Sequence, residues 1–184
     1  MTYIEGQTLE SQWPDMSSAE KGRIAHQLRD IVDEMRAIQP PPDYIGGCGG
    51  LEITDARDYS TYSVLACTDE EGFNSYLISS LFEKIPSPIK NALTRQLEKH
   101  FTTHKVVFSH CDLAPRNIIV KDGKIQGLVD WELAGWYPEY WEYVKFFQRG
   151  SGLGDWREYA DIIFSQAYPD ELVTYTAICR WQIP

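Results

Sequence analysis

The sequence predicts an α+β fold that is mostly α-helical, with one small β-hairpin near its centre. Several segments repeat apolar residues at helical spacing, and only three short runs have the composition of strands. Two of these runs flank Asp122-Gly123, a dipeptide typical of a two-residue hairpin turn. Hydrophobic residues make up 43% of the 184-residue chain and charged residues 24%, an ordinary globular balance. We therefore expect residues 1–184 to form a single domain.

The net charge and the cysteine spacing exclude several classes of binding partner and metal site. The formal net charge of -10, with only 17 scattered Lys and Arg residues, disfavours nucleic acid and anionic membranes. No apolar run reaches the roughly 18 residues of a membrane span. The four cysteines show no C-x-x-C spacing, so neither a zinc site nor a disulfide framework is indicated. We expect a cytoplasmic protein, and its acidity suits a cationic or metal-bridged ligand better than a nucleic acid.

The first helix is predicted from Ser17 and Glu20, which form a capping-box pair, and from an apolar stripe that runs through Ile38. Three prolines starting at Pro40 end it. Residues 40–62 are predicted to be a long irregular loop, since Gly and Pro are frequent there. The glycines of "IGGCGG" lack the spacing and context of a phosphate-binding loop.

Further helices follow on both sides of the predicted hairpin. Thr68 and Glu71 repeat the capping-box pattern before a stripe that ends at Ile85. His100 and His104 stand four residues apart, and a solvated helix end is favoured over a metal site. The remaining helix signals are Ser87-Pro88, the stripe from Tyr140 to Phe147, Asp155 with Glu158 as a cap, and a start near Asp170.

The hairpin predicts a pair of oxygen ligands. With Asp122-Gly123 as the turn, Lys121 pairs with Lys124 and Asn117 lies opposite Leu128, so Asp130 follows two residues later on the same face. Asn117 and Asp130 would then form a diagonal pair roughly 7 Å apart. Amide and carboxylate oxygens with waters and phosphate oxygens are the ligands that Mg²⁺ uses at nucleotide sites.

Asp112 precedes Asn117 by five residues, on the segment that enters the hairpin. At that distance its carboxylate can accept a proton from a hydroxyl that attacks phosphorus beside the metal. Each of these polar residues alone would more often cap a turn or a strand end. The joint spacing favours a catalytic function.

The two motifs resemble a known family. "SHCDLAPRNIIV" and "GLVDWELAGWYPEYWEY" are similar to the catalytic and metal-binding motifs of the aminoglycoside phosphotransferase and choline kinase-like group, above all to its fungal members. The resemblance covers most of the chain, since residues 1–10 resemble the linker between the two lobes of a kinase. It implies a protein-kinase-like C-terminal lobe, with residues 106–132 as the catalytic loop and metal-binding hairpin, and it leaves the N-terminal nucleotide lobe absent.

The resemblance also implies roles for individual residues. Asp112 would be the catalytic base, and His110 would brace the loop. Asn117 and Asp130 would bind Mg²⁺, with Tyr3, Ile4 and Asn117 contacting ATP. The acceptor side would be formed by Arg116, Trp131, Glu132, Trp136 and Tyr137, although the aromatic residues are equally compatible with a core and Arg116 with a structural ion pair.

Two departures from the family keep three functions open. Cys111 stands where the family usually has Gly, and no Gly-rich loop or strand Lys precedes the linker. The chain is therefore a Mg²⁺-ATP-dependent small-molecule phosphotransferase completed by an upper lobe, an acid–base enzyme that uses Asp112 and His110 and no nucleotide, or a non-catalytic binding protein. We also expect self-association, or binding of a partner chain, over the apolar face that an upper lobe would cover.

Overall fold

The computed structural model of the chain describes residues 4–50, 52–56, 61–99, 104–148 and 152–182. In these ranges helices outweigh strands, as the sequence predicts. The elements in chain order are β1 Gln7–Thr8, α1 Leu9–Gln12, α2 Ser18–Arg36, β2 Gly46–Gly47, β3 Ile53–Ala56, β4 Thr61–Val64, α3 Glu70–Ser79, α4 Ser87–Lys99, β5 Val106–Ser109, β6 Ile118–Lys121, β7 Lys124–Leu128, β8 Gly135–Pro138, α5 Trp141–Gln148, α6 Ala160–Ile163 and α7 Pro169–Arg180.

The strands form three small antiparallel sheets, in the orders β1-β6-β7, β2-β8-β5 and β3-β4. The predicted hairpin is β6-β7, and its turn residues Asp122 and Gly123 both have positive φ, as a type I′ turn requires. The prediction of an irregular loop over residues 40–62 is wrong, because β2, β3 and the start of β4 lie there. Such short strands carry little local signal, since distant partners stabilise them. The two sheets that contain β5, β6 and β7 flank the segment from 110 to 117.

Helix α2 begins as predicted and ends earlier. Ser17 and Glu20 form both hydrogen bonds of the capping box. The helix ends at Arg36, and Ile38, which the predicted stripe included, is 49% exposed. The helical conformation is disfavoured for a residue that precedes a proline, so the helix ends before the three prolines that start at Pro40.

Two predicted caps are wrong, because a neighbouring or distant group competes for the same atoms. Helix α3 is capped by Asp69, whose side chain accepts a hydrogen bond from the Gly72 N–H at 2.9 Å, and not by Thr68. The helix ends at Ser79, before Ile85. Asp155 makes no capping hydrogen bond; its carboxylate accepts instead from the Trp13 indole at 2.7 Å and from Lys21 at 2.8 Å.

His104 is not at a solvated helix end. Its side chain is only 10% exposed, and its Nδ1 lies 2.7 Å from a carboxylate oxygen of Glu70. That hydrogen bond is the largest of several effects that raise the pKa of His104; burial opposes them, and the nearby carboxylates of Glu70, Glu171 and Glu139 add to the rise. His100 lies outside the described residues.

Helix α5 runs through the centre of the core. Trp141 is fully buried and packs edge-to-face on Phe73 and on Tyr175, each with ring centroids 4.9 Å apart. The same helix buries two charged side chains, Glu142 and Lys145. In the described part of the chain, no helix is both long enough and apolar enough to cross a membrane.

Candidate active site

The loop that follows β5 turns sharply at Cys111. This residue has a φ of 66°, in the left-handed region that favours glycine. A non-glycine residue there costs about 1–2 kcal/mol, so the surrounding contacts must hold the backbone in place. Burial raises the pKa of the Cys111 thiol well above its usual value, which keeps the thiol neutral and unsuited to nucleophilic chemistry.

Both ring nitrogens of His110 are engaged. Nδ1 accepts the backbone N–H of Asp112 at 3.2 Å, and Nε2 donates to the carbonyl of Val129 at 3.0 Å. This pattern requires the neutral ring with its proton on Nε2. The ring is fully buried, so it fastens the loop to the end of strand β7. The geometry suits a bracing residue.

A second brace comes from Glu142 on α5, which the sequence reasoning missed. Its carboxylate, 1% exposed, accepts the backbone N–H of His110 at 2.5 Å and that of Cys111 at 3.0 Å. Burial raises the pKa of Glu142, and the hydrogen bonds from the backbone N–H groups of Cys111 and His110 act in the opposite direction. An acidic residue inside the buried stripe of α5 is the signal from which this contact could have been predicted.

Asp112 lies at the centre of the loop, 3% exposed. Its Oδ2 accepts from the Arg116 guanidinium at 2.6 Å and from the Asn117 side-chain amide at 3.0 Å. Pro115 starts the 3₁₀ turn that brings these two residues back to Asp112. Because a carboxylate only accepts hydrogen bonds, the Asn117 group that faces it is the NH₂. The amide oxygen of Asn117 therefore points away from Asp112 and remains suited to a cation.

The hairpin register differs from the predicted one beyond the turn. Lys121 pairs with Lys124 as predicted, but a β-bulge shifts the pairing so that Ile118, not Asn117, lies opposite Leu128. The backbone carbonyl oxygen of Asn117 instead accepts a hydrogen bond from the backbone N–H of Val129 at 2.9 Å. The bulge inserts one extra residue in β7, which the alternation pattern does not reveal. Asp130 thus follows directly after the partner of Asn117.

Asp130 lies at the bend that ends the hairpin. Its φ of 65° and ψ of 59° are left-handed, a conformation that Asp tolerates better than most residues. Its side chain is exposed, at the same open end of the hairpin as Asn117. Within the described ranges, no group of three or more His, Cys, Asp or Glu side chains could hold a metal. The amide oxygen of Asn117 and the carboxylate of Asp130 fit Mg²⁺ as two protein ligands, with the remaining positions left to water and phosphate.

Half-exposed aromatic rings adjoin this bend. Trp131 is 41% exposed, and its ring centroid lies 4.5 Å from that of His110 and 6.1 Å from that of Phe108. Phe108 in turn contacts Trp136 at 5.2 Å. Glu132 is exposed next to Trp131. These residues form one accessible aromatic and acidic surface beside Asp130.

Tyr137 does not share that surface. It is 1% exposed and packs between Phe73 and Trp141, each with its ring centroid 6.2 Å away. Alternation along β8 turns Trp136 outward and Tyr137 into the core. Tyr137 is therefore a core residue, contrary to its predicted place on the acceptor side.

Of the predicted nucleotide contacts in the linker, Tyr3 lies outside the described residues. Ile4 packs over the hairpin, since a Cβ built on Gly127 would lie 2.9 Å from the Ile4 Cδ1 atom. Gly127 pairs with Ile119, whose side chain is half-buried and which the sequence reasoning did not single out. Ile4 and Ile119 provide an apolar surface on the sheet whose strand β6 directly follows Asn117.

The structure resembles solved aminoglycoside phosphotransferases. Against a thermostable mutant of APH(4)-Ia in its apo form it gives a TM-score of 0.59 at 16% identity and covers 96% of this chain and 60% of that one. Against ADP-bound APH(2'')-Ib the TM-score is 0.60 at 14% identity, and the match covers 96% of this chain and 58% of that one. Against APH(3'')-Id from Streptomyces rimosus ATCC10970 the TM-score is 0.53 at 15% identity, and the match covers 98% of this chain and 67% of that one. At these identities the likeness establishes the fold.

The chain thus spans about 60% of the length of the first two structures that it resembles. No curated protein matches the sequence significantly. The model of the phosphotransferase enzyme family, APH, matches residues 1–173. Because that match covers nearly the whole sequence, the chain belongs to the APH phosphotransferase family.

Proposed function

We propose that this chain is the catalytic lobe of a phosphotransferase that moves the γ-phosphoryl group of ATP to a hydroxyl of a small molecule, and that it acts together with an upper lobe that covers the nucleotide. Family membership supports the reaction class. The span of about 60% of the solved structures supports the need for a further lobe. Residues 106–132 would supply the catalytic loop and the metal-binding hairpin.

One observation carries the proposal. Asp112 and Asn117 share a direct hydrogen bond of 3.0 Å, and the backbone of Asn117 is bonded to the strand that leads into Asp130. The carboxylate of Asp112, the amide oxygen of Asn117 and the exposed carboxylate of Asp130 thus belong to one hydrogen-bonded segment, which comprises the loop and the hairpin. In the proposed reaction Asp112 accepts the proton of the acceptor hydroxyl as that oxygen attacks phosphorus.

Asn117 and Asp130 would hold Mg²⁺, which when bound supplies positive charge to the phosphate oxygens. His110 and Glu142 position the loop, since each binds backbone atoms and is buried. Ile4 would contact the base of the nucleotide, together with Ile119. The relative APH(2'')-Ib has been solved with ADP bound, which supports a nucleotide in this family's fold.

The aromatic and acidic surface beside Asp130 is proposed as the acceptor side. Trp131 and Trp136 offer ring faces to a cationic group, and Glu132 adds a negative charge. A thermostable mutant of the relative APH(4)-Ia has been solved in a ternary complex with ADP and hygromycin B. By analogy we infer an acceptor that is a small, hydroxylated and positively charged molecule.

The alternative of an acid–base enzyme that uses His110 has no support in the geometry. Both nitrogens of that ring are already bonded to backbone groups, and the ring is fully buried. Proton transfer by His110 would require the loop to break both contacts. Of the two residues that this alternative requires, only Asp112 remains for acid–base chemistry.

Calorimetric titration of the chain with Mg²⁺-ATP tests the proposal. We expect binding that Asp130→Ala weakens by at least about tenfold, because the variant loses one of two protein ligands to the metal. Asp30→Ala, on the exposed face of α2, removes the same charge elsewhere and should bind like the wild type. Absence of heat for the wild type at millimolar nucleotide would refute the proposal.

A further inference from the structure

The proposed base is closed off in this structure. The side chain of Asp112 is only 2% exposed, while the side chain of Arg116, its ion-pair partner, is 37% exposed. Arg116 and Asn117 both donate to the same oxygen, Oδ2. A hydroxyl that is to give its proton to Asp112 needs access to this carboxylate. Of the two groups that donate to Oδ2, Arg116 is the one that reaches solvent, so its withdrawal would open this oxygen to the hydroxyl.

The position of Arg116 allows such a movement without refolding the loop. Its backbone belongs to the 3₁₀ turn that starts at Pro115, and the Asn117 N–H bonds the Ala114 carbonyl at 2.8 Å, which fixes the turn. The contact with Asp112 is made through one guanidinium nitrogen, Nη2. Among the residues that the structure describes, Asp112 is the only hydrogen-bond or ion-pair partner of Arg116. Most of the five N–H donors of a guanidinium thus remain for another acceptor.

A phosphoryl group is the acceptor that suits these donors. Guanidinium binds phosphate oxygens through two parallel hydrogen bonds, a geometry that the single-nitrogen contact with Asp112 does not use. The proposed site brings such a group next to Asp112, since the base must lie beside the hydroxyl that attacks phosphorus. The same side chain can therefore pair with Asp112 in the empty site and with the transferred group in the loaded one.

We propose that Arg116 is a catalytic residue with two positions: it pairs with Asp112 when the site is empty, and it moves to the γ-phosphoryl group when ATP binds, which uncovers the base. This inference rests on the proposed function. It assigns Arg116 to the transferred phosphate, whereas the alternative is a permanent structural ion pair with Asp112.

In the transfer step Arg116 stays protonated throughout. The acceptor hydroxyl gives its proton to the Asp112 carboxylate as its oxygen forms a bond to the γ-phosphorus. The bond between that phosphorus and the bridging oxygen breaks, and its electron pair leaves with ADP. The Arg116 charge opposes the negative charge on the transferred oxygens and does not gain or lose a proton.

Binding of Mg²⁺-ATP and Mg²⁺-ADP to the 184-residue chain, measured by calorimetry, separates the two roles. Arg116→Ala should weaken ATP binding by about tenfold and leave ADP binding within about twofold, because only ATP carries the γ-phosphoryl group. Arg116→Lys should fall in between, since an ammonium keeps the charge and loses the fork. Lys121→Ala, which removes a positive charge from the exposed Lys121–Glu5 pair of the same hairpin, should not change the ratio of the two affinities.

A double-mutant cycle provides the second readout. Asp112→Asn releases Arg116 from its resting partner, so it should strengthen ATP binding by a few-fold, on the order of the lost ion pair. In the Arg116→Ala background the same change should have a smaller effect, since there is no guanidinium to release. A structural ion pair predicts no such dependence. Circular dichroism of each variant confirms that the fold is retained.

The outcomes separate the inference from the function on which it rests. A selective loss of ATP affinity in Arg116→Ala, together with coupling to Asp112→Asn, supports both. An unchanged ratio of ATP to ADP affinity in Arg116→Ala overturns the two-position role and leaves the phosphotransferase proposal standing. A wild-type chain that binds neither nucleotide at millimolar concentration overturns both.

Discussion

Replacing Lys145 by Met should strongly destabilise the protein. Lys145 is 1% exposed and lies 2.6 Å from Asp55, which is fully buried and also accepts the Tyr175 hydroxyl at 2.5 Å. Removing the cation leaves a buried carboxylate without its charge partner, a change that costs about 3–5 kcal/mol. The free energy of unfolding of a domain of this size is about 5–15 kcal/mol, so the loss is a large share of it. Equilibrium urea unfolding, followed by circular dichroism, measures it.

Two comparisons make this prediction specific. Lys21→Met breaks the ion pair with Asp155, whose side chain is 49% exposed, and should cost at most about 1 kcal/mol. Asp55→Asn combined with Lys145→Met removes the orphaned charge and should be more stable than Lys145→Met alone. If the Lys145 variant loses no more than the Lys21 variant, or if the double variant is the least stable, the reasoning about buried charge is refuted.

Three further substitutions test contacts that position the loop and its supports. Glu142→Ala should destabilise the chain by about 1–3 kcal/mol for each backbone N–H left without an acceptor, which urea unfolding measures. The same variant should bind Mg²⁺-ATP more weakly in calorimetry. Gly135→Ala should cost about 1–3 kcal/mol in urea unfolding, because the new methyl group would overlap the carbonyl oxygen of Gly46 on the paired strand. The pKa of His104 is raised, chiefly by Glu70, so its contribution to stability is complete below its ordinary value of 6.5 and is lost as pH rises through the raised pKa. His104→Asn should therefore abolish the loss of stability above pH 6.5 in unfolding experiments across pH.

Matched variants control each of these tests. Glu142→Gln keeps one acceptor oxygen and should lose less than Glu142→Ala. Gly22→Ala makes the same change inside α2, where no atom other than its chain neighbours and the helix's own backbone lies within 4 Å of the new Cβ, and should stabilise the protein by about 0.5–1 kcal/mol. His26→Asn, on the exposed face of α2, should leave the pH profile of the wild type intact. A destabilised Gly22→Ala or an unchanged profile for His104→Asn would contradict the corresponding account.

The sequence predicted the elements whose signals are local. The Ser17 capping box, the start of α4 at Ser87 and the Asp122-Gly123 turn depend on residues within a few positions of one another, and each is found as predicted. The motifs from His110 to Asp130 likewise identified the family. The Thr68 and Asp155 caps failed, because an adjacent Asp69 and a distant Trp13 compete for the same hydrogen-bonding groups.

The sequence by itself determined that the chain is a largely helical member of this phosphotransferase family, since that information lies in short motifs and helical periodicity. Only the tertiary structure decided that a β-bulge sets Asn117 beside Val129, that Tyr137 faces the core and that Glu142 holds the loop. It also decided that Arg116 covers Asp112. These contacts depend on which surfaces pack together, and packing between residues far apart in the chain leaves no periodic trace in the sequence.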